Sequence, residues 1–251
     1  MKASRLALAL IAGSLVPLAG AAEPEAAKDR ALILTGVNNH DWKATTPYLK
    51  KTLEQGGYFA VDVDDDPAAP SLADPAKLKG YRVLVLNFNT NKRWSRDREA
   101  NFLDFVKDGG GLVVVHAADN AFEGWDEYDK LVGGTWRSKG GSSFPDRGTF
   151  HPAYGPFEVK VVDADHPITK GLDGTFTTKD EKYSNLRLQP NIRVLARAEE
   201  QGKPQPMLFV LDYGKGRVFQ TALGHDLGAM QNSQFVDTLI RGARWAAGEL
   251  K

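Results

Sequence analysis

Five histidines are spread over the 251 residues, and three of them stand where an apolar run stops. His40 lies one short turn beyond Leu32-Ile33-Leu34, in Thr35-Gly36-Val37-Asn38-Asn39-His40-Asp41-Trp42. His116 closes Leu112-Val113-Val114-Val115, and His225 follows Val218-Phe219-Gln220-Thr221-Ala222-Leu223-Gly224. Imidazole is the commonest protein ligand for transition metals and the side chain best suited to proton transfer near neutral pH. Three protein ligands with an open fourth position make a catalytic zinc site. Taken singly, each histidine reads as a strand-end residue bonded to loop backbone. Taken together they read as one site, because an open parallel sheet collects its ligands outside the carboxyl ends of its strands. The set therefore points to a divalent metal, zinc or a similar ion, held by His40, His116 and His225, with His116 and His225 also available to catalysis.

The elements that must position them are legible as alternating strands and helices. Residues 30–35 read as a strand around the continuous apolar run Ala31-Leu32-Ile33-Leu34, as strands buried on both faces do. Thr46-Pro47 reads as a helix opening, with Leu49 and Leu53 on one face and Gly56-Gly57 as its stop. Strands follow over 59–63 and 82–88, separated by an acidic, Pro-rich surface loop over 64–75. Ser95 reads as the cap of a helix carrying Phe102, Phe105 and Val106, which ends at Gly109-Gly110-Gly111 before the strand 112–115. This β-α-β-α-β order predicts an α/β fold with a doubly wound, mostly parallel sheet. Beyond it the spacing predicts a short helix over 125–131, an irregular loop over 137–154, strands over 157–162 and 192–198, and a closing helix over 233–248. Strands over 207–212 and 217–222 flank Tyr213-Gly214-Lys215-Gly216, the signal of an added β-hairpin.

Residues 1–22 read as a signal peptide: Lys2 and Arg5, an apolar stretch from Leu6 to Leu18 too short to span a bilayer, and a small-residue cleavage site at Ala19-Gly20-Ala21-Ala22. Residues 23–29 read as a tether and 30–251 as one α/β domain. The expected location is periplasmic or secreted, without stable membrane association after cleavage. Cysteine is absent, which excludes disulfides and a lipoprotein anchor. Thirty-two basic residues balance thirty-two acidic ones, so no basic field is available for nucleic acid, and a small polar substrate fits better. The glycine triplet at 109–111 precedes a strand rather than opening a helix, and no Gly-x-Gly-x-x-Gly follows the first strand. No nucleotide cofactor is expected. Nothing in the composition argues against a homo-oligomer.

A second candidate group is Asp180-Glu181 with Tyr183. Glu181 can serve as general base, metal ligand or acceptor of sugar hydroxyls; a solvated acidic turn is the plainer account. Asp41 and Asp226 each follow a candidate histidine and can steady a neighbouring ring or meet substrate. Trp42, Trp125 and Trp136 can stack on a sugar, and Trp245 reads as core. His151-Pro152 and His166-Pro167 read as structural turns, and Arg137 and Lys139 as a wet loop.

Several segments, in order, resemble the trehalose-utilisation (ThuA-like) family. They are Gly36 to Trp42, Gly109 to His116, Tyr128 to Trp136, His166-Pro167-Ile168-Thr169, Asp180 to Tyr183, Gly216 to Phe219 and Leu223 to Asp226. The resemblance implies a flavodoxin-like fold similar to class I glutamine amidotransferases. In that fold a nucleophilic cysteine sits after a central strand and a histidine after a late one. Here His116 and His225 hold those places, and without cysteine glutamine hydrolysis is excluded. The resemblance implies a role in carbohydrate utilisation. It also leads one to expect a further histidine soon after Gly133-Gly134-Thr135-Trp136, where this chain has Arg137-Ser138-Lys139, unless His151 substitutes. The expectation is a carbohydrate-catabolism enzyme, with catalysis by His116, Glu181 and His225. Elimination, hydrolysis or isomerisation of a 3-keto glycoside is the expected reaction. His40, Asp41, Trp42, Asp180, Tyr183 and Asp226 would bind the sugar. The alternative is a non-catalytic sugar-binding protein.

Overall fold

The computed structural model describes residues 28–250; the expected signal peptide and most of the tether lie outside the described residues. Eleven strands and six α-helices are arranged as β1 Asp29–Leu34, α1 Trp42–Gln55, β2 Phe59–Asp64, α2 Pro75–Leu78, β3 Val83–Leu86, α3 Arg96–Lys107, β4 Gly111–Val115, α4 Asp126–Val132, β5 Gly134–Thr135, β6 Gly155–Val161, β7 Thr175–Asp180, β8 Arg187–Leu188, β9 Arg193–Glu200, β10 Lys203–Tyr213, β11 Gly216–Thr221, α5 Leu227–Met230 and α6 Ser233–Ala246. Nine strands form one sheet in the order β2-β1-β3-β4-β11-β10-β9-β6-β7, and β5 pairs with β8 apart from it. The first five are parallel. Their order is that of flavodoxin-like sheets, in which the ligand crevice opens where the winding reverses, here between β1 and β3.

Strand residues alternate between two cores. Ile33, Val85, Val113 and Phe219 pack with Leu49 and Leu53 of α1 and Phe235, Leu239 and Ala243 of α6. Leu32, Leu84, Leu112, Val114 and Val218 pack on the other face with Phe102 and Val106 of α3 and Tyr128 and Leu131 of α4. Each fully buried aliphatic side chain contributes about 1.5–3 kcal/mol, so these two layers fix the parallel half. Gly242 lets α6 settle on the sheet: a Cβ there would lie 2.1 Å from the ring of Phe219.

The added hairpin is larger than expected. β10, β9, β6 and β7 continue the sheet antiparallel from β11. Four successive reversals leave β7 running the same way as β4 and β11. Register shifts along β10 and only two residue pairs between β6 and β9 let this wing curl. α5 consequently packs against the far edge strand β7, and the end of β7 returns to the ends of β4 and β11.

The helix expected to open with Thr46 as its cap begins five residues earlier. Asp41 is the N-cap, accepting from Ala44 N at 3.2 Å, and Pro47 lies exposed inside α1. Thr46 is buried, and its hydroxyl meets Thr35 and Asn87 instead of capping. Ser95 holds the N-cap position of α3, but its side chain makes no capping bond.

Candidate functional site

Each histidine is delivered by a strand end. Beyond β1, Gly36 turns at φ 101°, where a Cβ would collide with the Asp65 carbonyl, and the chain then reaches His40. Beyond β4, His116 itself adopts φ 45° and starts a 3₁₀ turn over His116–Asn120. A non-glycine residue held there costs about 1–3 kcal/mol, which the surrounding packing must offset. Beyond β11, Gly224 at φ 107° leads into His225.

The three rings meet at one place. Ring centres are 5.0 Å apart for His40 and His116, 4.5 Å for His40 and His225, and 5.6 Å for His116 and His225. Glu181, just past β7, turns Oε2 into their midst: 3.4 Å from His40 Nε2, 3.6 Å from His116 Nε2 and 3.1 Å from His225 Nδ1. One donor atom from each of the four residues lies within 4.8 Å of all the others.

The remaining ring nitrogens say where the protons are. His116 Nδ1 lies 2.8 Å from the Ala222 carbonyl oxygen, which can only accept, so Nδ1 carries the hydrogen and Nε2 keeps its lone pair in the neutral ring. His40 Nδ1 is likewise 3.2 Å from Asn38 Oδ1, which also accepts the His40 backbone N–H. His116 Nε2 and His225 Nδ1 are buried without a hydrogen-bond partner. Lone pairs and a carboxylate thus converge on one point and repel unless a positive charge stands among them. A proton on His116 meets that demand in part. Burial pushes the His116 pKa down, but Glu181, Asp180 and the Ala222 carbonyl outweigh it, and the net direction is up. His40 is lowered to about 4, by burial first and then by its two neighbouring imidazoles. Glu181 is lowered to about 2, foremost by His116, with His225 and His151 adding to the effect. Three imidazoles and a carboxylate suit zinc or a related divalent transition metal, so these four residues could hold such an ion.

Asp180, expected as a sugar contact, is buried at 1% exposure, and its carboxylate is occupied by three backbone N–H groups. Oδ1 accepts from Glu181 N at 2.8 Å and His225 N at 3.1 Å, and Oδ2 from Gly224 N at 2.7 Å. Tyr183, also expected as a sugar contact, is 2% exposed and backs His116, ring centres 4.0 Å apart. Both are supports of the cluster rather than parts of its open face. Asp41 caps α1, and Asp226 caps α5 through Ala229 N at 2.8 Å. Trp42 is the first residue of α1, with the Lys43 ammonium 5.7 Å from its ring centre. Trp125 is core, packed beside Tyr128.

Two residues read as structural or solvated have other surroundings. Arg137 is 1% exposed and pairs with Asp129 while donating to the carbonyls of Asn120, Ala121 and Trp136. His151 brings Nε2 to 3.6 Å from Glu181 Oε1, and Trp136 lies beside it. The available sequence signal for His151 was the histidine expected after Trp136, displaced along the loop. Tyr154 also borders the cluster, its ring 5.3 Å from that of His225; burial, then Asp226, pushes its hydroxyl to about 12.

The pattern of the ThuA family, described as trehalose utilisation, matches residues 30–246. The chain belongs to the ThuA-like family. A ThuA-like protein from Parabacteroides merdae is 32% identical, with TM-score 0.81 over 90% of this chain and 92% of that one. A second ThuA-like protein, from Bacteroides uniformis, is 21% identical, with TM-score 0.68 over 92% of this chain and 96% of that one. A cytoplasmic protein from Salmonella typhimurium shares the fold at 11% identity and TM-score 0.61, over 87% of this chain and 98% of that one. None of the curated proteins matches the sequence. In this ThuA-like chain the family segments ending at Trp42, His116, Tyr183 and Asp226 are the ones that carry the four cluster residues.

Proposed function

We propose that this ThuA-like protein is a carbohydrate-catabolism enzyme that works with a divalent metal on a glycoside already oxidised to a 3-keto sugar. The observation that carries the reading is the convergence of His40, His116, His225 and Glu181 on one point, two of their nitrogens buried and unpartnered. A divalent ion held by these four would polarise the substrate carbonyl. A carbonyl acidifies the neighbouring C–H, so elimination of the C1 substituent, isomerisation and hydrolysis are the reactions to test.

The chain's own groups divide the remaining work. Glu181, held near 2, is a weak base, so its part is that of charge partner and hydrogen-bond acceptor rather than proton abstractor. His225 is 26% exposed, against 3% for His116 and 10% for His40, and is the imidazole of the set that reaches the opening. His116, fixed by Ala222 and Tyr183, holds the cluster's geometry. The signal-peptide character of residues 1–22 supports a periplasmic or secreted location.

The test is elemental analysis of the purified protein together with turnover of 3-keto-glucosides before and after chelation. Bound metal and chelator-sensitive turnover are expected. Turnover indifferent to chelator removes the metal from the mechanism. Binding without consumption makes the protein a sugar-binding one.

A further inference from the structure

His151 faces the cluster from outside the four-donor set. Its Nδ1 lies 2.8 Å from the Pro152 carbonyl oxygen and therefore carries the hydrogen. Its Nε2, which keeps its lone pair in the neutral ring, is turned to Glu181 Oε1, 3.6 Å away, the carboxylate oxygen that does not face the other three imidazoles. At that separation the two atoms lie beyond hydrogen-bond reach of each other. They are satisfied by donors arriving from outside, and at 39% side-chain exposure His151 is open to them.

The pair is held rigidly. One residue before His151, Phe150 exchanges backbone hydrogen bonds with Ser184 at 3.0 and 2.8 Å. Thr149 N donates to the Arg137 carbonyl at 2.9 Å, and Arg137 is itself buried against Asp129. Asn185, fully buried, accepts from the backbone of Ser143 and Phe144 and donates to the carbonyls of Phe144, Arg147 and Gly148. Trp136, its ring centre 5.8 Å from that of His151 and tilted by 48°, places an aromatic ring beside the acceptor pair. Two fixed acceptors next to an aromatic ring suit adjacent hydroxyls on a ring whose other surface is apolar, the signature of a pyranose.

We propose that His151 Nε2 and Glu181 Oε1 receive two vicinal hydroxyls of the sugar, one each, which makes His151 a substrate-contacting residue that selects for a free diol beside the reacting position. The inference rests on the saccharide reading above and names what that site recognises.

The experiment measures kcat/KM and Kd for a 3-keto-glucoside and its monodeoxy analogues with the intact protein and with His151→Ala, His151→Phe and His151→Gln, alongside metal content. One hydrogen bond to a neutral acceptor corresponds to about 3- to 10-fold. His151→Ala and His151→Phe are expected to lose that factor on the full substrate, keep their metal, and lose nothing further on one monodeoxy analogue. His151→Gln, whose amide oxygen can accept, recovers part of the loss. Equal constants for all variants, or losses that add at every hydroxyl position, overturn the proposal while leaving the saccharide reading standing. An intact protein that neither binds nor consumes any of these sugars removes both, whereas binding without turnover removes only the enzymatic reading and moves the His151 comparison to Kd.

Discussion

Asp180 and His225 are joined side chain to main chain: Asp180 Oδ1 accepts the His225 N–H at 3.1 Å, and the same oxygen accepts the N–H of Glu181 at 2.8 Å. One buried carboxylate thus fixes two of the four donor residues, drawn from opposite edges of the curled wing. Asp180→Ala leaves three buried N–H groups without an acceptor. The expected cost is about 2–4 kcal/mol of stability, read by urea denaturation, with metal affinity falling roughly 10- to 100-fold as the two ligands lose their anchor. Unchanged metal affinity would show that the anchor is dispensable.

Metal binding should displace a proton from His116. His116 is raised and so gives up its proton less readily than a free imidazole, whereas His40, lowered to about 4, is already neutral, and Glu181, near 2, is already ionised. Ligands must be deprotonated to bind, so affinity climbs through the neutral range as the His116 proton is given up. Calorimetry in buffers of different ionisation enthalpy reads the release directly. Binding without any proton release would contradict the raised His116.

Asp119 gives a test of stability against pH. It is fully buried three residues after His116, with Oδ2 accepting from Gln220 Nε2 at 3.0 Å and Oδ1 unpartnered. Burial pushes its carboxyl to about 8. The folded protein then keeps a proton that the unfolded chain loses above the ordinary carboxylate pKa. The stability this confers is complete below about pH 4 and lost progressively as pH rises toward 8. Asp119→Asn, which has no such proton to lose, should therefore gain on the native protein as pH rises, by on the order of 5 kcal/mol between acid pH and pH 8. Melting curves at pH 5 and pH 8 measure it, at about 2–4 °C per kcal/mol for a domain of this size.

Removing Arg137 strands Asp129 and three carbonyls in the interior. Arg137→Met should cost about 3–5 kcal/mol, whereas the double replacement Arg137→Met with Asp129→Leu should cost less than the single one. Equilibrium unfolding of both variants decides whether the pair is needed as charge or as volume.

The parallel half of the fold was plain in the sequence because its strands are continuous apolar runs. The histidines after β1, β4 and β11 were plain because each stands where such a run ends. Glu181 emerged from its place in the family pattern, but the strand that delivers it did not. In β7, Thr-Phe-Thr-Thr-Lys-Asp, Phe176 alone is apolar, and an edge strand needs little more. The start of α1 was displaced because Thr46-Pro47 carries the chemistry of a helix opening, while tertiary contacts engage the Thr46 hydroxyl and Asp41 caps instead. Arg137 and His151 sit in a Gly/Ser/Pro-rich segment whose composition looks solvated. What buries one and aims the other is Asp129, Ser184 and Asn185, contacts that no local pattern records. Asp180 and Tyr183 show the converse: polar side chains read as facing a ligand are enclosed by the curl of the wing.

That curl has a consequence for how the protein matures. The donors enter at residues 40, 116, 181 and 225, and among the described residues the last comes after β11 and before α5 and α6. No half of the polypeptide owns the centre, and a nascent chain that has emerged only as far as β10 contains three of its members but lacks the strand that sets the fourth. The cluster is therefore assembled only in the finished fold, and an ion held there would report completion rather than guide the steps toward it.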